Sequence, residues 1–352
     1  MKLLSRYTRR AVILSFLLVL VVIIAIDAIS ALVDGLGDIK NSFTFMELLF
    51  YILLTMPERI YENIPISTMI GCIVGLGILA NNSELTIMRA TGVSLLRIFG
   101  FVISPVAVII IIGVAIGEYV VPFSEQLAES RKTLLRTDEV QTLDSGLWNK
   151  EGNEFMHFNA VYPDGRIFGV SRYSFDSQRR LQQASYSERV IFMDDHWLEE
   201  NGRVTTFLEG RTVVSSFETR KWDSDLTPEL LQYIVLPPES LGIQSLFRYS
   251  EYLDQQGRDS SRYRLSFWSK VLQPLTIASL VLVAISFVFG PLRDSTMGFR
   301  IFIGVLVGVV VNTVQDILEP ASLVYHFPPV LAVLFPAALM TIIGLMLLRR
   351  VG

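Results

Sequence analysis

Long runs almost free of charge constrain this 352-residue chain more than any other feature of its sequence. A bilayer core about 30 Å thick takes about 20 mostly apolar residues per helix, and roughly six stretches qualify. The first runs from Ala11 to about Val33, interrupted only by Asp27; the basic start Lys2, Arg6, Arg9 and Arg10 resembles that of a signal peptide. The run is too long for one and lacks a small-residue cleavage site, so it reads as a retained helix. From Phe43 to about Ala80 the stretch exceeds one span, and Pro57, Glu58, Arg59, Glu62, Asn63 and Pro65 break it, which predicts a half-length interfacial helix followed by a second span. The remaining spans run from about Leu95 to Val121, Phe267 to Phe289, Phe299 to Leu318 and Pro328 to Leu348. Only 18% of residues are charged, against about a quarter in soluble domains, and most of them lie in the middle of the chain. The reading is a membrane protein with one aqueous domain, divided as residues 1–121, 122–264 and 265–352.

Lysine and arginine near span ends set orientation. The N-terminal group, Arg89 and Arg97 after span two, Arg293 and Arg300 after span four, and Arg349 and Arg350 at the end all fall on one side. The other side's short loops hold only Lys40 and Arg59. Both termini are therefore expected in the cytoplasm and the middle segment outside it. That segment, residues 122–264, holds 17 basic and 23 acidic side chains, a net of −6 that excludes an electrostatic trap for nucleic acid.

Within it, short alternating runs separated by turn residues read as antiparallel strands. They include Gly146-Leu-Trp-Asn, Glu154-Phe-Met-His-Phe, Arg166-Ile-Phe-Gly-Val, Arg189-Val-Ile-Phe-Met, Arg203-Val-Thr-Thr-Phe and Thr212-Val-Val-Ser-Ser-Phe. Lys150-Glu-Gly-Asn, Pro163-Asp-Gly and Asn201-Gly202 stand between them as turns, the last predicting a tight hairpin. An all-β sandwich or jelly roll is expected, with Phe168 and Val190 facing inward. After Pro237-Pro238, Leu246, Tyr249 and Leu253 fall at helical spacing.

Catalytic motifs are missing. No Gly-x-x-x-x-Gly-Lys-Ser/Thr occurs, nor His-Glu-x-x-His, nor Gly-x-Ser-x-Gly. This polypeptide is therefore not expected to hydrolyse ATP. One cysteine, Cys72, and three histidines, His157, His196 and His326, supply neither a disulfide framework nor a Cys/His zinc cluster. The histidines read as structural, and no metal or catalytic residue is predicted.

Between spans two and three, Asn81-Asn-Ser-Glu-Leu-Thr-Ile-Met-Arg-Ala-Thr-Gly92 predicts a short helix over about 82–92, with Asn81 and Glu84 as a capping box. Leu85 and Met88 share a face; exposed, they would suit a docking partner or a bed of lipid headgroups. Ionisable residues inside spans are functional candidates by default: Asp27, Glu118, Asp316 and Glu319, with Asp34 at the end of span one. Snorkelling or an interhelical hydrogen bond is the plain alternative. Gly71/Gly75, Gly113/Gly117 and Gly304/Gly308 each permit close helix packing. Lys40, Arg59, Arg131, Lys132 and Arg136 gather near the outer ends of spans one to three, fit to grip an anionic headgroup or to anchor the helices at the interface.

The loop Ser83-Glu-Leu-Thr-Ile-Met-Arg-Ala-Thr-Gly92, the segment Gly117-Glu-Tyr-Val-Val-Pro122 and the stretch Trp268-Ser-Lys-Val-Leu-Gln-Pro274, on six spans with a β domain between the third and fourth, resemble the LptF/LptG family of lipopolysaccharide export permeases. Gly146-Leu-Trp-Asn-Lys, Phe289-Gly-Pro-Leu-Arg293 and Met297-Gly-Phe-Arg300 favour one of its two branches. The resemblance implies a permease subunit of an ABC transporter in the inner membrane of a Gram-negative bacterium. It implies an LptF-like partner subunit, an LptB-like ATPase dimer holding the ATP and Mg²⁺, an LptC-like membrane-anchored jelly-roll protein and an LptA-like periplasmic bridge, with no cofactor bound by this chain. Lipopolysaccharide would leave the outer leaflet through a cavity gated by spans one and five, with Asp27, Asp34 and Asp316 as intramembrane polar groups. Its headgroup would meet Lys40, Arg59, Arg131, Lys132 and Arg136, and its acyl chains would ride inside the jelly roll. Glu84, Leu85, Met88 and Arg89 would couple the permease to the ATPase. The chain departs from the family pattern at the outer end of span one, where Ala31, Gly37 and Asp38 stand and Lys40 is the lone lysine. A second class is a mechanotransmission protein that drives an external protein partner without moving lipid.

Overall fold

The computed structural model describes residues 2–39, 43–136, 147–162, 165–193, 195–208, 210–224, 226–255, 258–290 and 295–349. Lys40, Gly146, Pro163, Asp164, Arg293 and Arg350 lie outside them. In chain order the elements are α1 (Lys2–Gly35), α2 (Phe45–Asn81), α3 (Glu84–Ala90) and α4 (Leu95–Ala115), which passes through a π-helical turn at Ile116–Val120 into α5 (Val121–Arg136). Six strands follow: β1 (Leu147–Glu151), β2 (Glu154–Val161), β3 (Ile167–Phe175), β4 (Leu181–Met193), β5 (His196–Leu208) and β6 (Arg211–Trp222). Helices α6 (Pro228–Val235), α7 (Ile243–Gln255), α8 (Ser261–Phe289), α9 (Met297–Val324) and α10 (Pro329–Arg349) complete the chain. Six helical segments are long and apolar enough to cross a membrane, and an insertion of six strands followed by α6 and α7 separates the third from the fourth. The chain forms two compact units, one of residues 1–30, 57–119 and 242–352, the other of residues 31–56 and 120–241.

The break expected within residues 43–80 is not there. α2 is one helix of 37 residues with Pro57 and Pro65 inside it. A proline removes an amide from the helical ladder, and in a membrane the carbonyl it strands has to be met by other groups. The Tyr61 carbonyl, deprived by Pro65, lies 3.5 Å from Nε2 of Gln273 in α8. Around it, Asn63 Nδ2 donates to Arg59 O at 2.9 Å and Thr68 Oγ1 to Ile64 O at 2.7 Å.

In the helical unit α2 is the most deeply buried span, 67% buried over its apolar stretch against 56% for α8, 22% for α1 and 17% for α9. All three Gly-x-x-x-Gly pairs serve contacts with it. A Cβ on Gly71 would meet Phe16 Cα of α1 at 2.6 Å, and one on Gly75 would meet Val12 Cα at 3.1 Å. Gly113 and Gly117 of the third span face Ile64 and Tyr61, while Gly304 and Gly308 of α9 face Ile73 and Ile66. Backbone resists displacement more than a side-chain tip does. Gly71→Val is therefore expected to push α1 off α2, costing about 1–3 kcal/mol, read as a lower thermal midpoint in detergent; an unchanged midpoint would refute it.

In the other unit the six strands form one antiparallel sheet in the order β1-β2-β3-β4-β5-β6, a meander without crossovers among the described strands. Asn201-Gly202 is not the predicted hairpin turn: both residues lie inside β5, which continues to Leu208. Asn201 has φ +51°, and a Cβ at Gly202 would run into the Phe217 ring and the Tyr186 carbonyl. The positive φ that favours a turn here makes a kink within a long strand. Pairing skips Gly169 (φ +64°), Glu188, Asn201 and Glu218 in succession, and the buried side shifts by one residue there. Ile167 and Val170 are both buried on β3, as are Val190 and Ser187 on β4. Val190 thus lies in the core as expected, whereas Phe168 does not: it is half-exposed, edge-on to Tyr162. A slip of one residue moves a side chain to the other face.

The core of this unit is Met156, Phe158, Val161, Ile167, Val190, Trp197 and Trp222, covered by Leu226 and by Leu231 of α6. Trp197 Nε1 donates to Leu226 O at 2.8 Å. Beside this apolar end lies a buried ionic group: Glu199 accepts from Ser187 Oγ at 3.0 Å and Arg220 Nε at 2.6 Å, and pairs with Arg172 at 3.3 Å.

Candidate functional site

Of the basic residues, Arg131 and Lys132 of α5 come together with the first turns of α2. The Arg131 guanidinium forks onto the Glu47 carboxylate at 2.8 and 2.9 Å and lies over the Phe50 ring, 4.5 Å from its centre. The Lys132 ammonium stands 4.7 Å over the Tyr51 ring, and Tyr51 OH donates to Glu129 Oε1 at 2.7 Å. Phe43, Leu54 and Ala128 line the same cleft, whose edge carries Arg131, Lys132 and the carboxylate of Glu47. Helix α5 is tied to the sheet, because Ser130 Oγ and Gln126 Nε2 both donate to Val161 O. Arg136 is the last residue of α5. Sequence reading missed Glu47, Phe50 and Tyr51; their spacing of three and four on one helical face was the available signal.

Arg59 belongs to the helical unit, where its partner is Asp27 of α1 at 3.1 Å. The polar residue inside span one is thereby neutralised by its neighbour helix. Asp34 is exposed in the last turn of α1, and Asp316 accepts from Asn312 Nδ2 at 3.3 Å one turn away. Glu118, in the π-helical turn, caps another helix. Its carboxylate accepts from the amides of Ile243 at 2.5 Å and Gln244 at 3.2 Å, closing the N-terminus of α7. A carboxylate there satisfies orphan amides and complements the helix dipole. Glu118→Ala is expected to destabilise the start of α7 by about 1–2 kcal/mol, seen as faster amide exchange at Ile243 and Gln244; unchanged exchange there would refute this capping role.

Helix α3 forms where expected, with two corrections. Leu85 and Met88 are each 4% exposed and packed into the chain's own apolar core. They anchor the helix and cannot be its docking surface. The free side carries Thr86, Ile87 and Arg89, Ile87 being 60% exposed. The capping box also fails: Asn81 ends α2 and its Oδ1 accepts from Arg300 at 3.1 Å, while Ser83, at φ +60°, precedes α3 without a side-chain cap. Glu84 Oε1 accepts from Tyr7 OH at 3.2 Å.

The histidines are dispersed. His157 is buried on β2 against the Trp148 ring, and His326 sits in the turn after α9 at φ +55°. His196 Nδ1 lies 2.9 Å from Asp195, whose carboxyl the contact holds below the usual carboxylate range. Among the described residues no group of three metal-ligating side chains occurs.

A family model described as lipopolysaccharide export system permease LptF/LptG matches residues 6–350. The chain is 33% identical over 352 residues to the lipopolysaccharide export system permease protein LptG of Escherichia coli strain K12, covering 99% of this chain and 98% of that one. Against the protein of the same name from Haemophilus influenzae strain Rd it is 29% identical over 351 residues, with 99% and 98% covered.

Proposed function

The chain belongs to the LptF/LptG family of lipopolysaccharide export permeases, and from that premise we propose that it is the permease subunit that draws lipopolysaccharide from the outer leaflet of a Gram-negative inner membrane and passes it to a periplasmic bridge. One observation carries the substrate class. Arg131 and Lys132, held over the Phe50 and Tyr51 rings, set cationic groups against apolar walls, the combination a phosphorylated, acylated headgroup demands. Glu47 holds the Arg131 fork, and a lipid phosphate would take the place of that carboxylate.

ATP hydrolysis then belongs to a separate LptB-like dimer that docks on α3, and an LptF-like subunit completes the cavity, with LptC-like and LptA-like proteins receiving the lipid. Both termini face the cytoplasm and the sheet the periplasm. The poorly buried α1 and α9 suit the two gates, since a gate helix has to part from its neighbours. Nucleotide binding moves lipid only if it lowers the cavity's affinity for it.

One feature favours the second reading, mechanotransmission to a protein partner: the apolar end of the sheet is already filled by Leu226 and Leu231, so acyl chains do not find an empty interior there. A photoreactive amino acid at Phe50 and at the half-exposed Phe168, probed in cells with an antibody to lipopolysaccharide, separates the two. The expected result is lipid adducts at position 50 that depend on the ATPase. Adducts to protein alone at both positions would make mechanotransmission the function.

A further inference from the structure

α9 is the least buried of the spans, yet it holds one of the most deeply buried large side chains in the molecule. Arg300, in its first turn, is 2% exposed. Its Nη1 donates to Gly77 O at 3.0 Å and to Asn81 Oδ1 at 3.1 Å, both in the last turns of α2. Gly77 makes room for this: a Cβ there would meet Met297 Sδ at 3.1 Å and Arg300 Nη1 at 3.3 Å. The Gly77 carbonyl lies near the negative end of the α2 dipole, where a guanidinium is a favourable second donor beside the helical amide, and Asn81 adds a side-chain acceptor. A buried charge so placed is costly to separate from its acceptors. α3 begins three residues beyond Asn81 and is fixed to the same apolar core by Leu85 and Met88.

We propose that Arg300 is a positioning residue that carries movement of α3 to α9, so that the ATPase-facing helix and the proposed gate helix shift as one body. This rests on the reading of the chain as an ATP-driven lipid permease. Without the contact, α3 still docks and the ATPase still turns over, but α9 no longer follows.

The test uses the whole transporter complex in proteoliposomes containing lipopolysaccharide, with ATP hydrolysis and lipid release measured on the same preparation. For Arg300→Met and Asn81→Ala, hydrolysis is expected to stay within about twofold while lipid released per ATP falls about tenfold, the effect of losing a hydrogen bond to a charged group. The double variant should be no worse than Arg300→Met alone, because both changes break one link. Arg300→Lys, which keeps a donor, should recover part of the ratio. Should Arg300→Met fail to assemble, Asn81→Ala decides the matter, since it trims only one exposed acceptor. An unchanged ratio in Asn81→Ala overturns the proposal, as does a fall in hydrolysis and release together. A wild-type complex that hydrolyses ATP and releases no lipid refutes instead the transport reading beneath it.

Discussion

Ile87→Asp is expected to abolish ATP-driven lipid release while leaving the permease folded. Seven residues are too few for a helix that stands alone, so α3 exists because Leu85 and Met88 fasten it to the core. The opposite side is then presented rigidly, with Ile87 as its large apolar group. Loss of a central apolar anchor costs about 2 kcal/mol or more of docking energy, about thirtyfold in affinity, and a carboxylate adds desolvation to that. Stability should change by no more than about 0.5 kcal/mol, as for most exposed positions. Leu85→Ala is the contrasting case: it opens a hole in the core, costs about 2–5 kcal/mol, and should lower stability and coupling together. Co-purification of the ATPase, thermal stability and lipid release measured on both variants distinguish the two effects. If Ile87→Asp retains the ATPase and exports normally, α3 is a helix lying on headgroups and not a coupling element.

The second large effect is expected in the sheet. Glu199 has no exposed surface and answers two arginines, Arg172 and Arg220, along with the Ser187 hydroxyl. Arg172 keeps Glu154 at 2.8 Å and packs over the Trp222 ring. Glu199→Ala removes the shared carboxylate from two partly buried arginines, of which Arg172 keeps Glu154 and Arg220 is left without it, a change of about 3 kcal/mol. That is a large part of the roughly 5–15 kcal/mol a typical domain possesses. The sheet should melt well below the wild-type temperature by circular dichroism and become sensitive to protease. Glu199→Gln, which retains an acceptor for Ser187, should lose less. Replacing Arg172, Glu199 and Arg220 together by apolar residues of similar volume should restore much of the loss, because the penalty lies in an unpaired charge. A wild-type melting temperature for Glu199→Ala would show that the ionic group contributes nothing.

Much of the architecture is legible in the residues. Apolar runs of span length separated by a charged, alternating middle predict six helices and an inserted β domain, because bilayer thickness and strand pleat impose different periods on the text. The spacing of Gly71/Gly75, Gly113/Gly117 and Gly304/Gly308 likewise predicts close approach, though not that α2 is the common partner of all three. The candidate site was legible in part. Arg131 and Lys132 stand out as cations near a span end, but Glu47, Phe50 and Tyr51 are more than seventy positions away in sequence and become their partners only through folding.

What the sequence determined by itself, then, are quantities set locally: span length, strand alternation, the short helix after Asn82, and the absence of any motif for nucleotide chemistry. Only the tertiary structure decided which side of each element is used. Pro57 and Pro65 both lie inside α2, and at Pro65 the carbonyl it strands, that of Tyr61, is reached by Gln273 of a neighbouring helix. Asn201-Gly202 kinks a strand, since β6 pairs on through it, and Leu85 and Met88 turn inward because a core is there to receive them. Asn81 leaves its capping role for Arg300, a residue 219 positions away. Local propensities are worth tenths of a kcal/mol to about one per residue, whereas burying a side chain or satisfying a buried charge is worth several times that, so where the two conflict the packed environment prevails.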